Sequence, residues 1–251
     1  MALEYLPIVF FIIALLYSSV GFGGGSSYLA ILSLFLIDFH EIRSTALILN
    51  ICVVTIGTVI FMRNRVFNLK LFWPFLAASL PMAYLGAMIK LSQQSFFLIL
   101  GFALILSGLF LILRFLTKKI ETKEFKTSRK LVLGGSVGFL SGISGIGGGI
   151  FLSPILNLLG WANPRLIASL ASVFILVNSI SGLIGLNMAG TFQLNHQLIW
   201  KLIIAVTIGG GVGTYLSSQK FNLKFLGLLT AILVIYVGLK LVLMNGFDIK
   251  I

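Results

Sequence analysis

Acidic residues are scarce in this chain, and their positions exclude several classes of protein. Asp and Glu number 6 against 18 Lys and Arg among 251 residues, and charged residues make up 10% of the sequence. Soluble domains carry about 25% charged residues. None of the six acids lies inside a long apolar run, and their spacing offers no nucleophile–base pair. The sequence therefore predicts neither a soluble domain nor an enzyme.

Cysteine and histidine are also scarce. The one cysteine, Cys52, lies in an apolar run, which excludes a disulfide framework and fits a small packing residue. The histidines, His40 and His196, lie in predicted loops, and no Cys/His cluster offers a metal site. The segment Gly21–Ser26 lacks the third glycine of a dinucleotide fingerprint and follows no strand. We therefore expect no metal and no cofactor.

Apolar runs of membrane-spanning length recur throughout the chain. Hydrophobic residues make up 59% of it, and the mean hydropathy is +1.12. A membrane helix needs about 20 predominantly apolar residues. The net charge of +12 lies mostly between these runs, where it predicts orientation rather than nucleic-acid binding. The sequence therefore predicts an all-α polytopic membrane protein whose partners are the lipid bilayer and a small substrate.

A glycine-rich stretch occurs twice inside this apolar sequence. The first is Gly21-Phe22-Gly23-Gly24-Gly25-Ser26-Ser27, and the second is Gly145-Ile146-Gly147-Gly148-Gly149-Ile150. Each glycine in a helix interior costs about 1 kcal/mol relative to alanine, so consecutive glycines predict a break. Irregular backbone at membrane depth survives only where it is buried in protein or lines a cavity. Paired breaks in two halves of a chain are typical of a transporter's binding site.

Each half is predicted to contain a glycine-broken or re-entrant unit followed by three transmembrane helices. In the first repeat, residues 1–116, helices at 3–20 and 27–37 precede a polar loop at 38–43 and spans at 44–62, 69–89 and 95–116. The helix at 3–20 is interpreted as a membrane helix and not as a cleavable signal, because residues 1–5 contain no Lys or Arg. A basic linker at 117–130 is expected in the cytoplasm. In the second repeat, residues 131–251, helices at 131–144 and 150–159 precede a loop at 161–165 and spans at 166–186, 198–216 and 223–243.

Constant spacing between distinctive residues indicates a duplicated unit. Gly21 and Gly145 are 124 residues apart. Three further pairs are each 127 residues apart: Asn68 and Asn195, Trp73 and Trp200, and Gly86 and Gly213. The change in spacing requires a small insertion in the stretch between them. The chain therefore consists of two repeats.

Loop charges favour an inverted relation between the repeats. If each broken unit enters and leaves by the same side, each half has three full crossings, an odd number, and the halves are inverted. The basic positions inside are then the linker, the Arg63–Lys70 loop, Arg165, Lys220 and Lys224, and those outside are Lys90, Lys201, Lys240 and Lys250. Broken units that crossed once would move Arg165, Lys220 and Lys224 outside, which fits the positive-inside rule less well.

The short helices after the breaks point their N-termini toward one central region, where unsatisfied N–H groups and the helix dipole favour anions. Ser26 and Ser27 add hydroxyls in the first half only, so the site is expected to be asymmetric. The alternative is that the glycines serve only close helix packing. For Asn50 and Asn178, substrate contact and interhelical hydrogen bonding both stay open. The candidate substrate-binding residues are Gly23, Gly24, Gly25, Ser26, Ser27, Asn50, Gly147, Gly148, Gly149, Ser172 and Asn178.

A cluster of charged residues lies beside the first short helix. It comprises Asp38, His40, Glu41 and Arg43. We interpret it as a solvated face, with a gate as the alternative.

Both halves resemble the TauE/SafE sulfite exporter family of small membrane permeases. The resemblance lies in Val20–Gly25, in Ser141–Gly149 with the following Pro154, and in Ala168-Ser169-Leu170-Ala171-Ser172, which is similar to the family's Ala-x-x-Thr-Ser pattern. In the first half, Ser44-Thr45-Ala46 departs from this pattern. The resemblance covers almost the whole chain, and it implies transport of sulfur-containing or other small organic anions across the bacterial inner membrane.

Together these features predict a secondary transporter of a small anion, sulfite-like or organosulfur, that works by alternating access around a glycine-lined midplane site. An anion channel or uniporter with a fixed pore is the alternative. A homo-oligomer is left open.

Overall fold

The computed structural model is all-helical over the residues that it describes, which are 4–19, 21–35, 38–116, 124–217 and 223–247. In chain order the helices are α1 (Leu6–Ser19), α2 (Gly25–Phe35), α3 (Phe39–Arg63), α4 (Leu69–Met88), α5 (Gln93–Leu116), α6 (Thr127–Ser144), α7 (Gly149–Leu158), α8 (Pro164–Met188), α9 (His196–Ser217) and α10 (Leu223–Gly246). Within the described residues, α3, α4, α5, α8 and α9 are long and apolar enough to cross a membrane. The predicted all-α polytopic membrane protein is therefore confirmed.

Helix caps set the starts of the long helices and correct two predicted loops. The Asp38 side chain accepts a hydrogen bond from the His40 amide at 2.8 Å, and that of Asn163 accepts one from the Leu166 amide at 2.8 Å. Such caps satisfy amides that have no intrahelical partner. The predicted loop at 38–43 is therefore wrong beyond Asp38, and α8 already begins inside the predicted loop at 161–165. In the same way α6 begins inside the predicted linker, of which residues 117–123 lie outside the described residues.

Helix directions show that the first glycine break turns the chain back on itself. In the contact of α1 with α9, Gly209 lies against Phe11 and Gly213 against Leu15, so the two helices are parallel. In the contact of α3 with α9, Gly210 lies against Val53, and a Cβ at Gly57 would lie 4.0 Å from Thr214 Oγ1, so these helices are also parallel. Because α1 and α3 run in the same direction, α2 must return to the side where α1 began.

The second break has the same geometry. Where α4 meets α6, Gly134 lies against Phe75 and Gly142 against Ala83, so the helices are parallel. In the contact of α4 with α8, the Ser181 hydroxyl donates to the carbonyl of Leu80 at 2.7 Å and Gly185 lies against Tyr84, which is again parallel. Helices α6 and α8 therefore start on one side, here called the linker side. Helices α1 and α3 start on the other, here called the terminus side.

Corresponding helices of the two halves cross in opposite directions. Gly57 of α3 lies against Ser172 of α8, whereas Gly182, ten residues further along α8 from Ser172, lies against Leu47, ten residues back along α3 from Gly57. Helices α5 and α10 show the same order, with Gly101 against Val242 and Gly108 against Ile235. An inverted repeat requires antiparallel contacts of this kind.

The starts of matching helices locate the extra residues of the second half. The starts of α2 and α7 are 124 residues apart, those of α3 and α8 are 125 apart, and those of α4 and α9 are 127 apart. The connection at 189–195 is correspondingly two residues longer than the one at 64–68. The extra residues of the second half therefore lie in the connections between helices, and the matching helices of the two halves keep the same order.

Candidate functional site

The two glycine breaks touch each other in the middle of the molecule. A Cβ added at Gly25 would lie 2.7 Å from the backbone carbonyl oxygen of Ile146, and the side-chain amide of Asn50 donates to that same oxygen at 3.0 Å. A cavity lies at this contact, lined by Gly23–Ser26 of the first break and by Ile146 and Ile150 of the second. This central cavity has room for about one water molecule.

The short helices begin at this contact, as the sequence predicts. Helix α2 starts at Gly25 and α7 at Gly149, and the glycines before them have positive φ, +89° at Gly24 and +84° at Gly148. L-residues with side chains rarely adopt that conformation. The first amides of each helix have no intrahelical acceptor, and the helix dipole adds positive charge there. Two donor-rich helix ends therefore face one buried space.

The serines of the first break are already hydrogen bonded. The Tyr17 hydroxyl lies 2.6 Å from Ser27 Oγ, and Ser26 Oγ donates to the Tyr17 oxygen at 3.4 Å. Both serines are buried, and only Ser26 is among the residues that line the central cavity. Both predicted hydroxyl donors are therefore already hydrogen bonded to Tyr17, a residue that the sequence did not single out.

Asn50 is the predicted polar residue that stands at the centre. Its side chain is fully buried and lies against Gly23 and Gly25 of its own half and against Gly147 of the other. Its Oδ1 has no hydrogen-bond partner within the described part of the chain. Asn50 therefore contacts both breaks at once.

The other two polar candidates lie elsewhere. Ser172 lines a second cavity on the linker side, where its hydroxyl donates to the carbonyl of Val54 at 3.2 Å and lies 3.2 Å from the Thr58 hydroxyl. Asn178 is buried, and neither atom of its amide has a partner among the described residues. It is not among the residues that line either of these cavities. The structure therefore brings Gly23–Ser26, Asn50 and the second break together, and neither Ser172 nor Asn178 lines the cavity at their contact.

Arg43 is a buried residue that the sequence analysis placed in a solvated face. It is 1% exposed, so that interpretation is wrong for this residue. Its Nη2 donates to the carbonyl of Gly142 at 3.0 Å, and its guanidinium lies 5.5 Å from the ring centre of Phe96. Because α3 begins after the Asp38 cap, Arg43 lies about one turn inside this helix and not in a loop. The capping residue Asp38 is the signal in the sequence that could have predicted this position.

The comparisons with known proteins agree with the helical, glycine-broken architecture. The family model described as Sulfite exporter TauE/SafE matches residues 6–241. The chain is 33% identical over 240 residues to the probable membrane transporter protein y4hK of Sinorhizobium fredii, covering 94% of this chain and 96% of the relative. It is 34% identical over 206 residues to the probable membrane transporter protein MJ0441 of Methanocaldococcus jannaschii, covering 75% and 74% respectively. No solved structure matches the chain.

Proposed function

Because the chain belongs to the sulfite exporter TauE/SafE family, and is therefore a multi-pass membrane transporter, we propose that it carries a small anion, sulfite-like or organosulfur, by alternating access around the central cavity. The family assignment confirms the resemblance that the doubled glycine motif suggested. A transporter of this kind takes a small molecule across the bilayer and needs no catalytic constellation.

One observation supports an anion as the substrate. The first residues of α2, Gly25 and Ser26, and Ile150 in the first turn of α7 line the same cavity, and the glycines Gly23–Gly25 leave backbone amide groups accessible there. Helix N-termini bind anions through unsatisfied N–H donors and the helix dipole. Broken helices that meet in this way are the usual substrate site of transporters built from repeats. The candidate residues in this site are Gly23, Gly24, Gly25, Ser26, Asn50, Gly147, Gly148 and Gly149.

The alternating-access mechanism is supported by the closed state of the cavity. With room for about one water molecule, it is too small for an anion that has three oxygens. Binding therefore requires the helices around the breaks to move apart. Antiparallel contacts between α3 and α8 make the two sides of the cavity structurally related, so that opening on either side uses matching helices.

We place the linker in the cytoplasm and both termini outside a bacterial inner membrane. This placement rests on the basic residues of the linker and on the helix directions, which put the start of α1 opposite the start of α6. With the same helix directions, this placement has three full crossings in each half, preceded by a re-entrant unit, as the proposed inverted repeat requires.

Counterflow of radiolabelled sulfite in proteoliposomes tests this function against the channel alternative. A carrier gives uptake that saturates with sulfite concentration and is accelerated by unlabelled sulfite on the opposite side. A channel or uniporter with a fixed pore gives flux that follows the gradient without this acceleration. Uptake equal to that of empty liposomes, with sulfite, sulfonates and other small anions alike, would contradict the proposed function.

A further inference from the structure

The second glycine break is surrounded by buried polar side chains that each have one atom without a hydrogen-bond partner among the described residues. Arg43 lies against Gly145 through its Cα, Cβ and Cγ, Asn50 Nδ2 and Ser179 Oγ lie against Gly147, and Ser141 Cβ lies against Gly148. Each of these four side chains is at most 1% exposed. Within the described residues each has a side-chain atom without a hydrogen-bond partner: Arg43 Nε, Asn50 Oδ1, Ser141 Oγ and Ser179 Oγ.

Unpartnered atoms of this kind are rare in folded proteins, because a buried polar group without a hydrogen bond is costly. Three of them, Arg43 Nε and the hydroxyls of Ser141 and Ser179, are donors around one turn of irregular backbone, and they indicate a place where a ligand accepts hydrogen bonds. The fourth, Asn50 Oδ1, is an acceptor and lies against Gly23 of the first break. The segment itself, Gly145–Gly148, contains no polar side chain. The polar groups come from α3, α6 and α8, so they converge on the break from three helices.

The first break differs from the second in charge, although it too has an unpartnered polar atom among the described residues, the buried Tyr28 hydroxyl against Gly24. There Gly21 lies against Ala168, and Gly23 lies against Asn50 and Val54. By the spacing of the helices, Ala168 matches Arg43, and Val54 matches Ser179. Tyr17, which matches Ser141, is hydrogen bonded to Ser27. The buried charge of Arg43 therefore lies at the second break, on the terminus side, and its counterpart at the first break is the apolar Ala168.

Arg43 has no carboxylate partner in the described part of the chain. Its contacts there are the Gly142 carbonyl and the face of Phe96, and both partners are neutral. Burying a cation without a counter-charge costs several kcal/mol. A protein that keeps such a cation next to a proposed anion site has a counter-charge available in the substrate itself.

We propose that Arg43, with Asn50, Ser141, Ser179 and the backbone of Gly145–Gly148, forms the terminus-side half of the anion site and selects an oxyanion. This inference rests on the proposed function and specifies the class of substrate. A guanidinium presents a planar fork of N–H donors that matches two oxygens of one anion, whereas a spherical halide accepts no such pair. Serine hydroxyls and glycine amides supply further donors for the remaining oxygens.

The test is thermal unfolding of the purified protein with sulfite or with chloride at equal ionic strength. Four proteins are compared: the parent, Arg43→Met, Arg43→Lys and Arg165→Gln. Arg165 is exposed at the start of α8, so Arg165→Gln removes one positive charge outside the site. Unfolding without added anion reports folding, and the sulfite-dependent shift in Tm reports binding without any transport step.

We expect sulfite to raise the Tm of the parent and of Arg165→Gln equally, and chloride to raise neither. Arg43→Met should unfold at the same or a higher temperature without anion, because it removes an unpaired buried charge. Its apparent affinity for sulfite should fall by about tenfold or more, as for loss of a charged hydrogen bond. Arg43→Lys should keep part of the affinity and lose preference for sulfite over chloride.

A full sulfite shift in folded Arg43→Met would overturn the role of Arg43 and leave the proposed function standing. If Arg43→Met does not fold, Arg43→Lys decides, and an unchanged preference for sulfite over chloride in that variant contradicts the inference. A parent protein that no small anion stabilises would contradict the proposed function and this inference with it.

Discussion

The side-chain amide of Asn50 donates a hydrogen bond to the backbone carbonyl of Ile146 at 3.0 Å, and this bond joins the two halves of the molecule. Asn50 belongs to the first long helix after the first break, and Ile146 belongs to the second break. The bond lies beside the central cavity and is fully buried. It therefore holds the two glycine breaks together in the closed state.

Asn50→Ala should destabilise the closed state. The Ile146 carbonyl would be left buried without a donor, which costs about 1–3 kcal/mol. Asn157→Ala is the matched control, because Asn157 also donates to a backbone carbonyl, that of Ser153 at 2.7 Å, but within one helix. Thermal unfolding should show a larger loss for Asn50→Ala. Equal losses in the two variants would argue against a special role for the contact between halves.

Cysteine labelling in intact cells tests the inverted topology. Glu124 and Phe247 are both exposed in the structure, so each is replaced by a single cysteine in a Cys52→Ala background. The neighbouring positions Lys123 and Asp248 suit the same experiment and lie outside the described residues. A membrane-impermeant maleimide should label the site near the C-terminus and not the linker site. Labelling of both from one side would rule out the inverted arrangement.

Glycines spaced along a helix should matter for packing and not for substrate binding. Gly138 of α6 lies so close to Ser79 of α4 that an added Cβ would be 2.6 Å from the Ser79 Cα and carbonyl oxygen. Gly138→Ala should therefore lower the Tm, while the KM for sulfite of the protein that remains folded stays the same. Gly135→Ala, whose Cβ would meet only ordinary contacts at 3.6 Å or more, should change neither quantity. A changed KM in Gly138→Ala would contradict this division.

Neutralising the charged start of α3 should leave the pH dependence of transport intact. Proton-driven carriers usually hold a carboxylate or histidine inside their spans. Here Asp38, His40 and Glu41 stand at the beginning of the helix. We expect the triple variant Asp38→Asn, His40→Gln, Glu41→Gln to slow sulfite flux modestly, and Asn at position 38 retains a helix cap.

The pH dependence should survive in the triple variant because a weak-acid anion can carry its own proton, or because transport follows the membrane potential alone. Initial flux in proteoliposomes between mildly acidic and mildly alkaline pH gives the answer. If the parent depends on pH and the triple variant does not, these residues form the coupling site.

Much of the architecture could be predicted because single residues determine it locally. Consecutive glycines end a helix wherever they occur, so the starts of α2 and α7 fell within two residues of the expected positions. The spacing of 127 residues between Trp73 and Trp200 correctly aligned α4 with α9. These features depend on neighbouring residues and on chain length.

The composition of the site depended on contacts that local sequence does not encode. Ser26 and Ser27 have the residue type expected of an anion site, but Tyr17 of the preceding helix occupies their hydroxyls. Arg43 has a polar neighbourhood in sequence and is nevertheless buried against Gly142 and Phe96. Each of these contacts joins segments that the fold, and not the sequence pattern, brings together.

The glycines of the two breaks carry the central claim, that the substrate site is built from their backbone. Gly24→Leu and Gly148→Leu place a bulky side chain at positive φ in the breaks, and Gly25→Ala adds only a Cβ, which would lie 2.7 Å from the Ile146 carbonyl oxygen. Gly211→Leu is the control, because a Cβ there has only Ile56 Cδ1 within reach, at 4.0 Å.

The most direct measurement is the initial rate of radiolabelled sulfite uptake into proteoliposomes that contain equal amounts of each folded variant. We predict that Gly24→Leu and Gly148→Leu abolish uptake, that Gly25→Ala strongly reduces it, and that Gly211→Leu transports like the parent. Normal uptake by Gly24→Leu or by Gly148→Leu would show that the glycine breaks are not the substrate site.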